Sequence, residues 1–163
     1  MNDSQNKILL DETDLRLLDL LQHDSRLTIK QLAAKVHLST TPVFERVKRM
    51  EQEGIIEKYV AVINAEKIGR GFAAFCNVRM KQHTYENGLR MMEAVQHIPE
   101  IAECYNISGD YDFMFKIYVE DMHHYQQFVL RILGELDCIG SVNSFFVLGE
   151  VKNAHQLPLV NQR

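Results

Sequence analysis

A chain of 163 residues, 46% of them hydrophobic, is long enough for one ordinary domain or two small ones and too apolar to stay disordered. A formal charge of -4 argues against a protein that coats nucleic acid over its whole surface; with no basic leader-like start and no run of roughly 18 apolar residues, a soluble, cytoplasmic protein without a membrane span is expected. Cys76, Cys104 and Cys138 form no CxxC pair, which argues against a disulfide framework or a zinc knuckle and suits small buried hydrophobes.

The first element is a helix opening at Asp11, which can accept a first-turn amide, with Leu10 and Leu15 at staple spacing and Leu15, Leu18 and Leu21 on one face. A second, of about nine residues, is announced by Thr28 and Gln31 at capping-box spacing. Its face is Ile29, Leu32, Ala33 and Val36. It breaks at His37-Leu38-Ser39. A third helix begins at Thr40-Thr41-Pro42, where a proline loses no hydrogen bond, and Gly54 ends it. Val43, Val47 and Met50 share one face of this helix and leave Thr41, Glu45, Lys48, Arg49 and Gln52 outward at 100° per residue.

The average charge hides a local excess here, because Arg26, Lys30, Lys35, Arg46, Lys48 and Arg49 face only the acid Glu45 between residues 26 and 49. Two short helices joined by a tight turn, the second with hydroxyls at its start and cations along its exposed face, suit a DNA major groove. Ser39, Thr40, Thr41, Pro42, Glu45, Arg46, Lys48 and Arg49 are therefore the candidate DNA-binding residues, with Arg49 a candidate reader of a guanine edge. The β-branched run 57–64 follows as a wing strand would.

After glycines at 69 and 71, residues 72–80 alternate as a strand. Residues 85–97 form a helix with Leu89, Met92 and Val95 in step, ending before Pro99. Strands at 101–108 and 113–119 flank the turn Gly109-Asp110-Tyr111-Asp112. A strongly amphipathic helix over 122–136 and a strand over 142–147 complete a ferredoxin-like βαββαβ unit. Its helices cover one sheet face, and apolar residues on the other predict a partner sheet and hence a dimer.

The runs LSTTPVFERVKRMEQEGII, LDETDLRLLDLLQHDSR and ECYNISGDYDFMFKIYVEDM, in this order and spacing, closely resemble the Lrp/AsnC, or feast/famine, transcriptional regulators. The resemblance spans about residues 10–152. It implies an α+β chain: an N-terminal winged helix-turn-helix domain (11–64, after a tail 1–10), a linker (65–71), and a ferredoxin-like, RAM-type sensory domain (72–152) before a tail (153–163). It further implies double-stranded DNA and a small amino-acid effector as partners, a homodimer assembling toward an octamer, no cofactor and no enzymatic activity. Relatives commonly carry glycine in the turn between the second and third helices, where this chain has His37. If that position is left-handed, histidine costs roughly 1 kcal/mol there.

Asp110 and Asp112 invite an acid/base reading, but no third orienting group accompanies them and no closing glutamate completes a calcium loop. His123 and His124, about 100° apart on a helix, are not expected to share a metal. A plain turn accounts for Gly109-Asp110 as well. The functional alternative is a receptor for a zwitterion, in which Gly109 exposes backbone, Asp110 and Asp112 neutralise an ammonium, and Ser108 and Tyr111 add hydroxyls. The resemblance places its effector at this turn, so Ser108, Gly109, Asp110, Tyr111 and Asp112 are the candidate effector-binding residues, Asp112 foremost. Two rival readings are a DNA-organising protein without an effector and an amino-acid sensor acting on another protein.

Overall fold

The computed structural model describes residues 9–153 and 155–159, so most of the expected N-terminal tail and the end of the C-terminal one lie outside the described residues. Two compact units emerge: residues up to Ala61 together with those from Lys152, and Val62–Val151.

In the first unit, helix α1 (Glu12–His23) starts with a reciprocal box, the Asp11 carboxylate accepting the Asp14 amide at 2.8 Å and Asp14 accepting the Asp11 amide at 3.2 Å. Helix α2 (Ile29–Val36) carries the expected Thr28–Gln31 box. It closes on His37, whose φ of 57° and ψ of 40° are left-handed, while the Leu38 amide reaches back to the Ala33 carbonyl at 3.1 Å. Helix α3 (Thr40–Gln52) follows. Leu17, Leu18 and Leu21 of α1, Leu32 and Ala33 of α2, and Val43, Val47 and Met50 of α3 form one core, because each helix turns a single apolar stripe inward. Gln22 of α1 also holds the returning C-terminal segment by both backbone groups of Leu157, at 2.7 and 3.3 Å.

The wing strand expected at 57–64 is not formed. Residues 57–64 have no strand pairing, since a strand needs a hydrogen-bonding neighbour and the described residues supply none here. The run is tied at Tyr59, whose hydroxyl donates to Glu51 Oε1 at 2.7 Å, and at Asn64, whose Oδ1 accepts the Lys67 amide at 3.0 Å, while Val60, Val62 and Ile63 stay exposed. Burial and the adjacent Glu51 carboxylate push the Tyr59 hydroxyl up to about 12.

The second unit holds strand β1 (Phe72–Met80), helix α4 (Tyr85–Val95), strands β2 (Ile101–Asn106) and β3 (Phe113–Val119), helix α5 (Met122–Gln127) and strand β4 (Ile139–Phe146). The sheet is antiparallel in the order β2-β3-β1-β4, a ferredoxin-like arrangement. Ala74, Cys76, Val78, Phe113, Phe115, Ile117 and Val119 are buried with Met91, Val95, Tyr125, Phe128 and Leu133. Cys76 and Cys138 are buried as expected, and Cys104 is half-buried.

Three expectations shift. Helix α4 buries Met91 and Val95 and exposes Leu89 and Met92, because two adjacent apolar positions allow two helical phases and only contact with the sheet selects one. The long helix over 122–136 is α-helical only to Gln127, widens into a π turn over Phe128–Ile132 and tightens at Leu133–Glu135. Strand β4 begins three residues earlier than read, where Ile139 pairs with Met80 across a bulge. The outer sheet face presents Phe75 beside Phe145, Asn77 beside Asn143 and Tyr105 beside Met114.

Candidate functional site

On α3 the buried positions Val43, Val47 and Met50 fix the rotation of the helix, so Thr41, Phe44, Glu45 and Lys48 face solvent. Ser39, Thr40 and Thr41 are exposed at its start, and the Ser39 side chain makes no cap bond, which leaves its hydroxyl and the first amides open to an anion. Pro42 is half-buried within the first turn. Lys48 lies 5.9 Å from the Phe44 ring centroid and has no carboxylate partner among the described residues.

The two arginines sit otherwise. Arg46 Nη1 donates to Asp14 Oδ1 at 2.7 Å and Asp11 Oδ2 at 2.6 Å, and Arg49 Nη2 to Asp14 Oδ2 at 2.6 Å. Asp14 is 1% exposed, so this is a carboxylate nearly withdrawn from water and held by two guanidiniums, clamping α1 to α3. Burial alone would raise the Asp11 carboxyl, but the Asp14 amide and Arg46 hold it below its usual range. Arg46 is raised by its bonds to Asp14 and Asp11. The outward orientation read for Arg49 is thus corrected, since the helical wheel did not anticipate a buried acid drawing the side chain back. Arg26 pairs with Asp24 as well, at 3.2 Å, so the six-cation excess leaves Lys30, Lys35 and Lys48 without ion pairs among the described residues.

In the second unit, the turn between β2 and β3 gathers the five predicted residues, but in different roles. Gly109 has φ of 120°, a conformation that side chains rarely adopt, and open space beside it. Asp112 is committed: its Oδ2 accepts the Met80 amide at 2.8 Å and its Oδ1 lies 3.0 Å from His83 Nδ1. The Asp112 amide in turn donates to the Val78 carbonyl at 2.9 Å. Asp112 therefore fastens the turn to the end of β1. The Asp110 carbonyl accepts from Arg79 Nε at 2.9 Å, leaving its carboxylate exposed and without a partner among the described residues. Tyr111 lies under the Arg79 guanidinium at 5.5 Å, and its hydroxyl accepts from Asn143 Nδ2 at 3.1 Å. Ser108 is exposed beside them.

Phe44, Arg79, His83 and Asn143 were missed in the sequence reading. Phe44 could have been found, because it is in phase with Thr41 and Lys48. The other three come from distant positions that only sheet pairing assembles.

The family description "Lrp/AsnC ligand binding domain" matches residues 73–157, and "Winged helix-turn-helix DNA-binding" matches residues 10–57. The chain is 35% identical over 151 residues to the DNA-binding transcriptional activator DecR of Escherichia coli, covering 93% of this chain and 99% of that protein. It is 32% identical to the leucine-responsive regulatory protein of the same organism, covering 91% and 90%. A solved complex of a Neisseria meningitidis transcriptional regulator with L-methionine superposes with a TM-score of 0.88 at 32% identity, over 91% of this chain and 96% of that one.

Proposed function

Because this chain belongs to the Lrp/AsnC family of transcriptional regulators, we propose that it binds DNA sequence-specifically through α3 and that a small amino acid at the 108–112 turn sets its DNA affinity. The exposed face of α3 carries the reading: a helix start without a side-chain cap and Lys48 for phosphate, with Thr41, Phe44 and Glu45 for base edges and thymine methyls. Arg46 and Arg49 set the angle of that helix and contact the groove only from its margin. At the turn, the Asp110 carboxylate takes the effector's ammonium, Gly109 admits its carboxylate to the backbone, and Ser108 and Tyr111 flank it. Asp112 holds the loop in shape.

The protein acts as a homodimer, assembling further toward an octamer. The outer face of the sheet, with Phe145 half-exposed, and the unpaired run 57–64 support a partner copy. The effector shifts populations: it favours the assembly to which it binds more tightly, and DNA affinity follows. No helix among the described residues is long and apolar enough to cross a membrane, and the relatives reported above are named regulators. A cytoplasmic, non-enzymatic role fits both. Selection of bound DNA fragments with and without a pool of amino acids tests the two halves together. Enrichment of a shared sequence that changes with the pool is expected; enrichment indifferent to the pool would leave a regulator without this effector, and no enrichment would leave a DNA organiser.

A further inference from the structure

The chain passes between its two units twice, at Ala61 to Val62 and again at Val151 to Lys152. The first crossing lies in the run 57–64, which has no strand pairing. The second leads into a segment that is held. Gln22 Oε1 accepts the Leu157 amide at 2.7 Å and Gln22 Nε2 donates to the Leu157 carbonyl at 3.3 Å, so one side-chain amide meets both backbone groups of one residue, as a neighbouring strand would. That grip is on the main chain, for the Leu157 side chain is 76% exposed. Beside it, a concavity of about 600 Å³ is lined by Leu15 and Arg16 of α1 and by Gln156 and Pro158 of the segment. With Leu157 and Leu159 both exposed, little apolar burial backs the two hydrogen bonds, and a segment attached in this way opens locally at low cost.

Each end of this segment is continuous with a contact that matters elsewhere in the molecule. Upstream it follows β4, whose Asn143 Nδ2 donates to the Tyr111 hydroxyl of the 108–112 turn at 3.1 Å, and the Val147 amide extends the attachment of β4 to β1 by donating to the Ala73 carbonyl at 3.0 Å. Downstream it holds α1, the helix whose Asp14 binds Arg46 and Arg49 of α3. A displacement at Tyr111 therefore has a connected route to α3, through one strand, a short stretch of chain and the Gln22 amide.

We propose, resting on the effector reading above, that the C-terminal segment is a strap with two states, docked on Gln22 or released, and that an amino acid at the 108–112 turn acts on α3 by shifting the balance between them. Such a shift requires the effector to bind the two states with different affinity. Tyr111 supplies the difference, since it flanks the effector and is bonded to β4. Gln22 is the positioning residue of the device, touching neither DNA nor effector.

The full chain is titrated with each of the twenty L-amino acids by calorimetry, and its affinity for a DNA fragment recovered by selection is measured with and without every one that binds. At least one amino acid is expected to change the DNA affinity of the unaltered chain by about fivefold or more. In Gln22→Leu, which removes both bonds and keeps the bulk, that change should fall below about twofold, while the amino acid binds within about threefold of its original affinity. Hydrogen exchange of residues 152–159 in the unaltered chain should change by about threefold or more when the same amino acid is added, and this measurement decides if circular dichroism shows the variant unfolded. A full response in Gln22→Leu, exchange indifferent to the amino acid, or loss of amino-acid binding itself in the variant would overturn the strap and leave the turn reading intact. No amino acid binding the unaltered chain, or binding without effect on DNA, would overturn the effector reading and the strap with it.

Discussion

His37 sits in the left-handed region between α2 and α3. A β-carbon there costs about 1 kcal/mol, partly offset by the greater freedom glycine has when unfolded. His37→Gly is expected to raise the melting temperature by a few degrees, measured by calorimetry, and a fall would show that the imidazole makes a compensating contact. Asp14 is the opposite case, a buried acid on which two arginines converge. Asp14→Ala should cost about 2–3 kcal/mol in chemical denaturation, less than a fully buried pair, because the released guanidiniums can reach water. Arg49→Ala should then lower stability more than it relaxes base specificity. Asp11 adds a pH term of definite sign. Its carboxyl is held below the ordinary value when folded, so its stabilisation is present above the unfolded pKa near 3.8 and lost as pH falls through the lower folded value. Acid unfolding of Asp11→Asn should show a weaker dependence in that window.

At the scale of the element, α3 is a helix whose buried stripe aims its opposite face, and the aim matters more than the number of cations on it. Lys48→Ala is expected to weaken binding to all DNA sequences alike and to reduce the salt slope by about one, measured by titration at several salt concentrations. Sequence-dependent weakening would make Lys48 a base reader instead. The β2–β3 turn depends on a single conformation in the same way. Gly109→Ala forces a side chain into φ of 120°, at about 1–3 kcal/mol, without filling any occupied space. Amino-acid binding at the turn should weaken in this variant while DNA binding without effector persists; unchanged effector titration would place the ligand elsewhere.

The whole molecule divides into two units with separate cores, each built by the pairing of apolar stripes. The proposed association of copies rests on the outer sheet face, where Phe75 and Phe145 lie in register. Phe145→Lys is expected to shift sedimentation toward the monomer, and an unchanged oligomer would move the interface off this sheet. Caps, stripes and turns were legible in the sequence because they are local: Thr28 with Gln31, Val43 with Val47 and Met50, and Gly109 between two strands are set by spacing along one segment. The reading failed where a choice required a distant neighbour. The phase of α4 needed the sheet, the 57–64 run needed a strand partner it does not find, and the freedom of Arg49 depended on an acid 35 residues away. Asp110 and Asp112 show the division most plainly. Sequence identified two carboxylates in one turn, and only the packing of that turn against the end of β1 decided that one is bound to the protein and the other left exposed, since a hydrogen bond is a property of two places in space.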